Sequence, residues 1–255
     1  MTTTPNESKL YGDGWDRIHG GYFSDRDVAA PLVEAVLRSA EELAATAVAD
    51  LGGGTGFVLS LIAESLPAEC DLINVDSAPA QLEGAGSRIR AVVADLEALD
   101  RDRLIESGRL LLCMRSVLHY FGRRGMKPAL SDIRSVLDEG EAFVHQTACF
   151  ETRSHRDVLN DQYELLGTGK WYPTAQELEH ALEKEGFSVD SSVRIPALRL
   201  ESGEVAYRYD VDPVRMASIG ELLFERHGEV PGVLERDGDA YVTYLYYRVM
   251  RCTAR

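Results

Sequence analysis

A doubly wound, mostly parallel α/β sheet is the fold class this sequence predicts, and three observations predict it. Strand-like and helix-like segments alternate through the middle of the chain. Several of the strand-like segments are nearly continuous apolar runs, which suits strands covered on both faces better than a half-exposed sheet. The first of those runs ends in VADLGGGTGFVL, Val48 to Leu59, where four glycines in five positions lead directly into a helix pattern.

Each element has a local reason. PLVEAVLRSAEELAA, Pro31 to about Ala45, places Leu32, Val33, Val36, Leu37, Ala40 and Leu43 on one face of a helix. TAVADL reads as a strand, GFVLSLIAESL as a helix and CDLINVD as the second strand. PAQLEGAG reads as a short helix with Ser77 at its cap and Pro79 in its first turn. RIRAVVAD, RLLLCMRSVL and EAFVHQTACF are the next three strands, separated by helices in LEALDRDRLIES and MKPALSDIRSVL. Thr174 and Glu177 form a capping-box pattern that opens a helix, ELEHALEKEG, which Gly186 closes. FSVDSSVRIPALRL and AYVTYLYYRVMRCT read as the last two strands. Between them lies an insertion, about 201–238: GEVAYRYDVD alternates like an exposed strand, and a helix follows with Asp212 as cap, Pro213 first and Gly228 as stop. The expected organisation is one domain over 1–255: an N-terminal flap and helix (1–45), an α/β core (46–200), the insertion (201–238) and a last strand (239–255).

Composition narrows the function classes. Lys plus Arg number 27 against 42 Asp plus Glu, a formal charge of −15, so most of the surface repels a phosphate backbone or an anionic bilayer. No nucleic-acid partner and no membrane partner are expected. The four cysteines are scattered with no metal-ligand spacing, and His155, Asp157 and Asp161 fit no common metal motif, so no metal is expected. No apolar run reaches the length of a membrane span, and MTTTPNESK lacks the basic and apolar regions of a signal peptide, which makes a cytoplasmic location the default expectation.

Glycines after a strand permit positive φ and let a ligand approach the main chain without meeting a Cβ. The dinucleotide pattern GxGxxG fails, because its third glycine would be Phe57 or Leu59, and the lysine of a P-loop is missing as well. Gly52, Gly54 and Gly56 instead spell GxGxG, with Asp50 two residues upstream, and Gly53 has no role beyond compactness. This segment resembles motif I of the class I methyltransferases that use S-adenosylmethionine (SAM). The resemblance continues downstream at Asp76 in LINVDSAP, at Asp95 in VVADLEAL, in LLLCMRSVLHYF after strand four, and in SVLDEGEAFV, where Asp138, Glu139 and Gly140 stand for the commoner Lys, Pro, Gly. It covers about residues 45 to 195. It implies a Rossmann-like, seven-stranded sheet with an antiparallel last strand, and SAM as cofactor with S-adenosylhomocysteine as product.

What the resemblance implies for the site follows residue by residue. Asp76 would accept from the ribose hydroxyls, with Ser77 beside it; Asp95 and the Leu96 amide would meet the adenine. Asp50 would lie near the methionine end or simply brace the loop. Arg115 would pair with the methionine carboxylate or shape the acceptor pocket. His119 is the candidate catalytic base, since a His of near-neutral pKa can take a proton from an attacking hydroxyl; packing or orientation is its alternative role. Tyr11, Trp15, His19 and Tyr22 would form a lid over the reaction or merely cover the sheet edge. Tyr120, Trp171 and Tyr172 would line the acceptor pocket, or, for the last two, seat a helix. The expected function is methyl transfer to a small molecule, a secondary metabolite by resemblance, at oxygen rather than carbon or nitrogen. A SAM-binding cyclase or sensor without methyl transfer is the alternative, and a nicotinamide oxidoreductase a weaker one. The insertion helix, with Val214, Met216, Ile219, Leu222, Leu223 and Phe224, would line the acceptor pocket or pair subunits in a homodimer.

Overall fold

The computed structural model of the protein describes residues 18–83 and 86–255. Tyr11 and Trp15, expected in the flap, lie outside the described residues. Eight strands are found among them: β1 (Ala47–Leu51), β2 (Asp71–Asp76), β3 (Ile89–Val93), β4 (Leu110–Arg115), β5 (Ala142–Ala148), β6 (Phe187–Glu201), β7 (Leu234–Asp237) and β8 (Ala240–Ala254). They form one sheet in the order β3-β2-β1-β4-β5-β8-β6, with β7 joined to β8. The first five pair with one another in parallel, and β8 runs antiparallel to both β5 and β6. The chain works outward from β1 to β3 and then returns to place β4 on β1's other side. Such a switch point leaves a crevice beyond the carboxyl ends of the two central strands.

The helices are α1 (Arg26–Leu43), α2 (Phe57–Ile62), α3 (Arg101–Leu104), α4 (Gly122–Ser135), α5 (Arg153–Leu165), α6 (Ala175–Lys184), α7 (Ser202–Tyr209) and α8 (Pro213–His227). Helices α1 and α2 bury Leu32, Val36, Leu59 and Ile62 against Val48, Leu111 and Val144 on one face. On the other face, α4 and α6 bury Met126, Leu130, Leu178 and Leu182 against Ala49, Leu112 and Phe143. Each such side chain removed from water contributes roughly 1.5–3 kcal/mol, so the two layers hold the central strand ends in fixed register. Helix α1 begins five residues before Pro31, because Asp25 caps it by accepting from the Asp27 and Val28 amides. The capping box of α6 is present, with Thr174 and Glu177 bonding each other's backbone reciprocally.

The eighth strand is the fold's departure from the expected seven. Beyond Ala148 the side of β8 that faced β5 is taken over by β7, from Leu234↔Thr243 to Asp237↔Ala240, through a two-residue turn with Gly238 at φ +62. At the sheet's edge, β6 is blunted by register shifts between Val189 and Ser191 and between Ile195 and Leu198, with Pro196 inside the second.

Three segments differ from the sequence reading. GEVAYRYDVD is helical: α7 buries Ser202, Val205, Arg208 and Tyr209, a helical spacing, and leaves Tyr207 mostly exposed, so the Val205, Tyr207, Tyr209 alternation was a false strand signal. PAQLEGAG supplies one 3-10 turn, Pro79–Gln81, capped by Ala78 without a side-chain bond, so Ser77 is not a cap. LEALDRDRLIES splits into a 3-10 turn, Leu96–Ala98, and α3, because Asp100 caps a new start. The insertion helix α8 has the cap, proline and stop expected of it and buries Met216, Ile219 and Leu223, whereas Val214 and Leu222 are exposed. Asp157 pairs with Arg156, and Asp161 with Arg226 and His227. Among the described residues no group of His, Cys, Asp and Glu could hold a metal ion, and no helix is long and apolar enough to cross a membrane.

Candidate functional site

A cleft opens at the switch point, lined by the glycine loop 52–55, Phe57 and Val58, Asp50, Asp76, Ser77, Gln81, Asp95, Arg115, Ser116, Val117, Tyr120 and, from the flap, Phe23. The loop leaves β1 with positive φ at Gly52, Gly54 and Gly56. Two of its glycines are required for opposite reasons. A Cβ on Gly53 would stand 2.3 Å from Asn74 Oδ1 and 2.9 Å from Asp50 Oδ2, so this residue is fixed by what lies beneath the loop and is more than compact. A Cβ on Gly54 would meet only Gln81 Nε2, at 4.0 Å, so this residue faces the open cleft.

The loop is held from β2. The amides of Gly52 and Gly53 donate to Val75 O at 2.7 and 3.2 Å, Gly54 N donates to Asp76 Oδ2 at 3.1 Å, and Asn74 Nδ2 donates to Gly54 O at 2.9 Å. Asp76 Oδ1 accepts from Ala78 N at 2.9 Å. Each Asp76 oxygen thus keeps a lone pair for a ligand while bracing the loop. Burial raises its pKa, against the pull of the amides of Ala78, Gly54 and Ser77. Asn74 was missed in the sequence; its signal is a single amide in an otherwise apolar strand.

Asp95, exposed at the start of the Leu96–Ala98 turn, makes no side-chain capping bond there, which leaves its carboxylate to the cleft. Leu96 follows with its side chain in the core. Arg115 lines the cleft but its guanidinium reaches the flap, donating to Phe23 O at 2.7 Å and Tyr22 O at 3.4 Å between the rings of Phe23 and Phe57. As arranged, it latches the flap. Tyr22 itself turns away, its hydroxyl donating to Pro196 O and its ring against Tyr247, so among the described residues of the flap Phe23 lines the cleft.

His119 does not reach the cleft wall. It is 5% exposed, with Tyr120 at 4.3 Å and Tyr172 stacked at 5.2 Å. Burial first, then the charges of Lys170 and Arg208, hold its pKa well below the usual value, and its Nδ1 has no hydrogen-bond partner. The imidazole lies beneath the wall and packs against Tyr120, which does line the cleft. Tyr172 is buried, pinned by Asn160 through both backbone groups, and Trp171 donates its amide to His119 O. Both seat the segment before α6 and neither lines the cleft.

Behind Tyr120 lies a cluster the sequence did not reveal. Arg208 donates to Tyr120 Oη at 3.0 Å and contacts His19 Nε2 at 3.1 Å; His19 Nδ1 is 3.3 Å from Glu204. Lys170 donates to Tyr209 Oη at 2.6 Å and sits 4.2 Å from the centroid of the Tyr120 ring. Burial, then Arg208 and Lys170, lower the His19 pKa to about 3. The signals were a lysine between glycine and two aromatics, GTGKWY, and an arginine in a segment read as a strand.

Residues 48–140 match the family model of a methyltransferase domain. Comparison with curated proteins finds no match. Among solved structures, the chain is similar to the YcgJ protein of Bacillus subtilis, with 13% identity, a TM-score of 0.64 and coverage of 89% of this chain and 99% of that one. It is similar to the 1,6-didemethyltoxoflavin-N1-methyltransferase of Burkholderia thailandensis, solved with 1,6-didemethyltoxoflavin and S-adenosylhomocysteine, at 18% identity and a TM-score of 0.56, covering 97% of this chain and 84% of that one. It also resembles the mitomycin 7-O-methyltransferase MmcR, at 15% identity and a TM-score of 0.54, covering 89% of this chain and 55% of that one. At these identities the likeness is one of fold. The glycine loop and the strand order agree with the family model, which matches a methyltransferase domain over 48–140.

Proposed function

We propose that this protein transfers a methyl group from SAM to a small-molecule acceptor, with S-adenosylhomocysteine as product. The observation that carries the reading is the cleft at the β1/β4 switch point, where a positive-φ loop open at Gly54 faces the carboxylates of Asp76 and Asp95. These residues fit the cofactor: Asp76 suits the ribose hydroxyls, Asp95 and the backbone after it suit the adenine, and Asp50 and Arg115 stand at the methionine end. The cofactor supplies a sulfonium that is already a good leaving group, so the protein's task is to align the acceptor and exclude water.

The acceptor would meet Tyr120, Ser116 and the flap at Phe23. Lys170 and Arg208 behind Tyr120 favour an acceptor whose reacting atom becomes negative as its proton leaves, and they disfavour a protonated amine. Oxygen is therefore the favoured acceptor atom. The toxoflavin and mitomycin enzymes among the structural relatives support a secondary metabolite as the acceptor class. A cytoplasmic setting and a homodimer through the exposed Val214 and Leu222 of α8 are part of the same reading. Incubation of the purified chain with methyl-labelled SAM and a panel of phenols, carboxylates and amines tests it. Label in a phenolic product supports the proposal, and tight SAM binding with no labelled product from any acceptor favours a non-transferring role.

A further inference from the structure

We infer that Gln146 recognises the acceptor, and that the acceptor carries a lactam or other cis-amide edge beside the atom to be methylated. The ligand's role rests on the methyl-transfer reading above, while the test is one of binding alone.

Gln146 lies on β5, is 0% exposed, and has no hydrogen-bond partner for its side-chain Oε1 or Nε2 among the described residues. A primary amide enclosed with both ends unpaired is costly, since each group has lost water and gained nothing. Its position gives that cost a use. Val144 and Ala148, two residues to either side, pack in the layer that holds Tyr22, Tyr247 and Val249, so strand alternation puts the Gln146 side chain on that face. Its strand neighbours are Arg115 on β4 and Val249 on β8. Arg115 lines the cleft, and its buried Nε is likewise without a partner among the described residues. The main chain ties Gln146 to the next residue of the cleft wall, because its carbonyl accepts from Ser116 N at 2.8 Å.

Ser116 is strained, with φ +61 in the left-handed region that a residue with a Cβ rarely takes. Its Oγ lies 3.0 Å from Tyr247 Oη, and Tyr247 is in register with Ala148, two residues beyond Gln146. An unpaired amide, a guanidinium Nε and a pair of linked hydroxyls thus form one polar floor at the ends of β4 and β5. The flap covers it: Arg115 donates to Phe23 O and Tyr22 O, and the Tyr22 ring lies 5.8 Å from that of Tyr247. A ligand that displaces Tyr22 meets the amide.

That amide offers a donor and an acceptor side by side. One ligand group satisfies both only if it presents C=O beside N–H in the cis arrangement, as lactams, imides and cyclic ureas do, whereas a carboxylate or a phenolate oxygen satisfies the donor alone. A ring fixes this geometry before binding, so little rotational freedom is lost.

Titration of the full chain with 4-hydroxy-2-quinolone and with 4-hydroxycoumarin, each with and without saturating S-adenosylhomocysteine, tests the assignment. The two probes share a shape and an acidic ring hydroxyl, and differ in an N–H that the coumarin replaces by oxygen. The quinolone is expected to bind at least about tenfold tighter, because the coumarin sets an oxygen against Gln146 Oε1. Gln146→Met removes an unpaired amide at nearly constant volume, so the variant should fold and bind both probes equally, through loss of affinity for the quinolone. Gln162→Met is the control: Gln162 is as buried and as unpartnered, but it lies on α5, none of whose residues line the cleft, and the variant should keep the wild-type ratio. Equal affinities in the wild-type chain, no binding of either probe, a ratio unchanged in Gln146→Met or a ratio lost in Gln162→Met overturns the inference. So does failure of Gln146→Met to fold, which would show the amide in use within the protein. If S-adenosylhomocysteine does not bind, the methyl-transfer reading falls, while the probe ratio still decides the role of Gln146.

Discussion

The two ends of the cleft are built from different materials. At the β1–β2 end the ligand surface is main chain: a loop with three positive φ angles, tied to β2 by four hydrogen bonds, two to the Val75 carbonyl and one each through Asp76 and Asn74, with one carboxylate from each of three strand ends. At the β4 end the surface is side chain: Tyr120 backed by Arg208, Lys170 and His119, which arrive from α7, the 167–171 loop and the turn after β4. A main-chain site depends on local φ and spacing, so one short motif encodes it. A side-chain site depends on where distant segments meet. The difference explains why one end was legible as a ligand-binding loop and the other was not.

The largest expected effect is acid lability, from His19 and His119 at the side-chain end and from His145 inside the sheet on β5. Burial lowers His19 and His145 to about 3 and His119 well below 6.5. All three stay neutral in the folded chain while the unfolded chain protonates them, so their stabilisation is complete above pH 6.5 and is lost progressively as pH falls below it, for His19 and His145 down to about 3. Together they contribute a slope of up to about 4 kcal/mol per pH unit. Asp50 works the other way: its raised pKa makes the folded chain bind a proton between about 4 and 7, which removes roughly a third of that slope. Urea unfolding from pH 4.5 to 7.5 should show stability rising with pH, and His19→Gln with His119→Gln should flatten the curve. An unchanged slope in that double variant breaks the assignment of neutral histidines to this end.

Next in size come the main-chain variants. Gly54→Val, whose side chain would project into the open cleft, should abolish S-adenosylhomocysteine binding (over about a hundredfold) at a fold cost of only about 1–2 kcal/mol for the positive φ. Gly53→Ala, driven into Asn74 and Asp50, should cost more stability, roughly 1–3 kcal/mol. Thermal melts and titrations side by side check both, and equal melting points for the two variants would contradict the division of roles between the neighbouring glycines.

Smaller effects sharpen the acceptor end. Tyr120→Phe should lower turnover on the acceptor about ten- to a hundredfold with cofactor affinity kept, while His119→Gln should lower it less and act through stability. The reverse ranking would restore His119 as the base. Smallest is Asp95→Ala, expected to weaken cofactor binding about tenfold. It should leave stability within about 0.5 kcal/mol, since the carboxylate is exposed and caps nothing.

The same contrast governs how much was legible in the sequence. The parallel strands followed from apolar runs, and a cleft lined by the glycine loop, Asp50, Asp76 and Asp95 followed from GxGxG and the acids downstream of it, because those signals are local. Asn74 escaped because one amide in LINVDS carries no pattern until β2 is laid beside the loop. Arg208 and Lys170 escaped because nothing local ties an arginine in VAYRYD or a lysine in GTGKWY to Tyr120. His119 was singled out for its chemistry and displaced by its geometry: Tyr120, one residue on, takes the cleft face. Strand β7 was hidden in LERDGDAY, whose charges read as loop until β8 offered it a partner.

The central claim is that the bare loop and its flanking carboxylates hold SAM, and a competition titration tests it most directly. Purified chain is titrated with S-adenosylhomocysteine and, separately, with NAD. The account predicts saturable one-to-one binding of the first, lost in Gly54→Val, and no binding of the second. Binding of NAD in place of S-adenosylhomocysteine, or of neither by a folded chain, would contradict it.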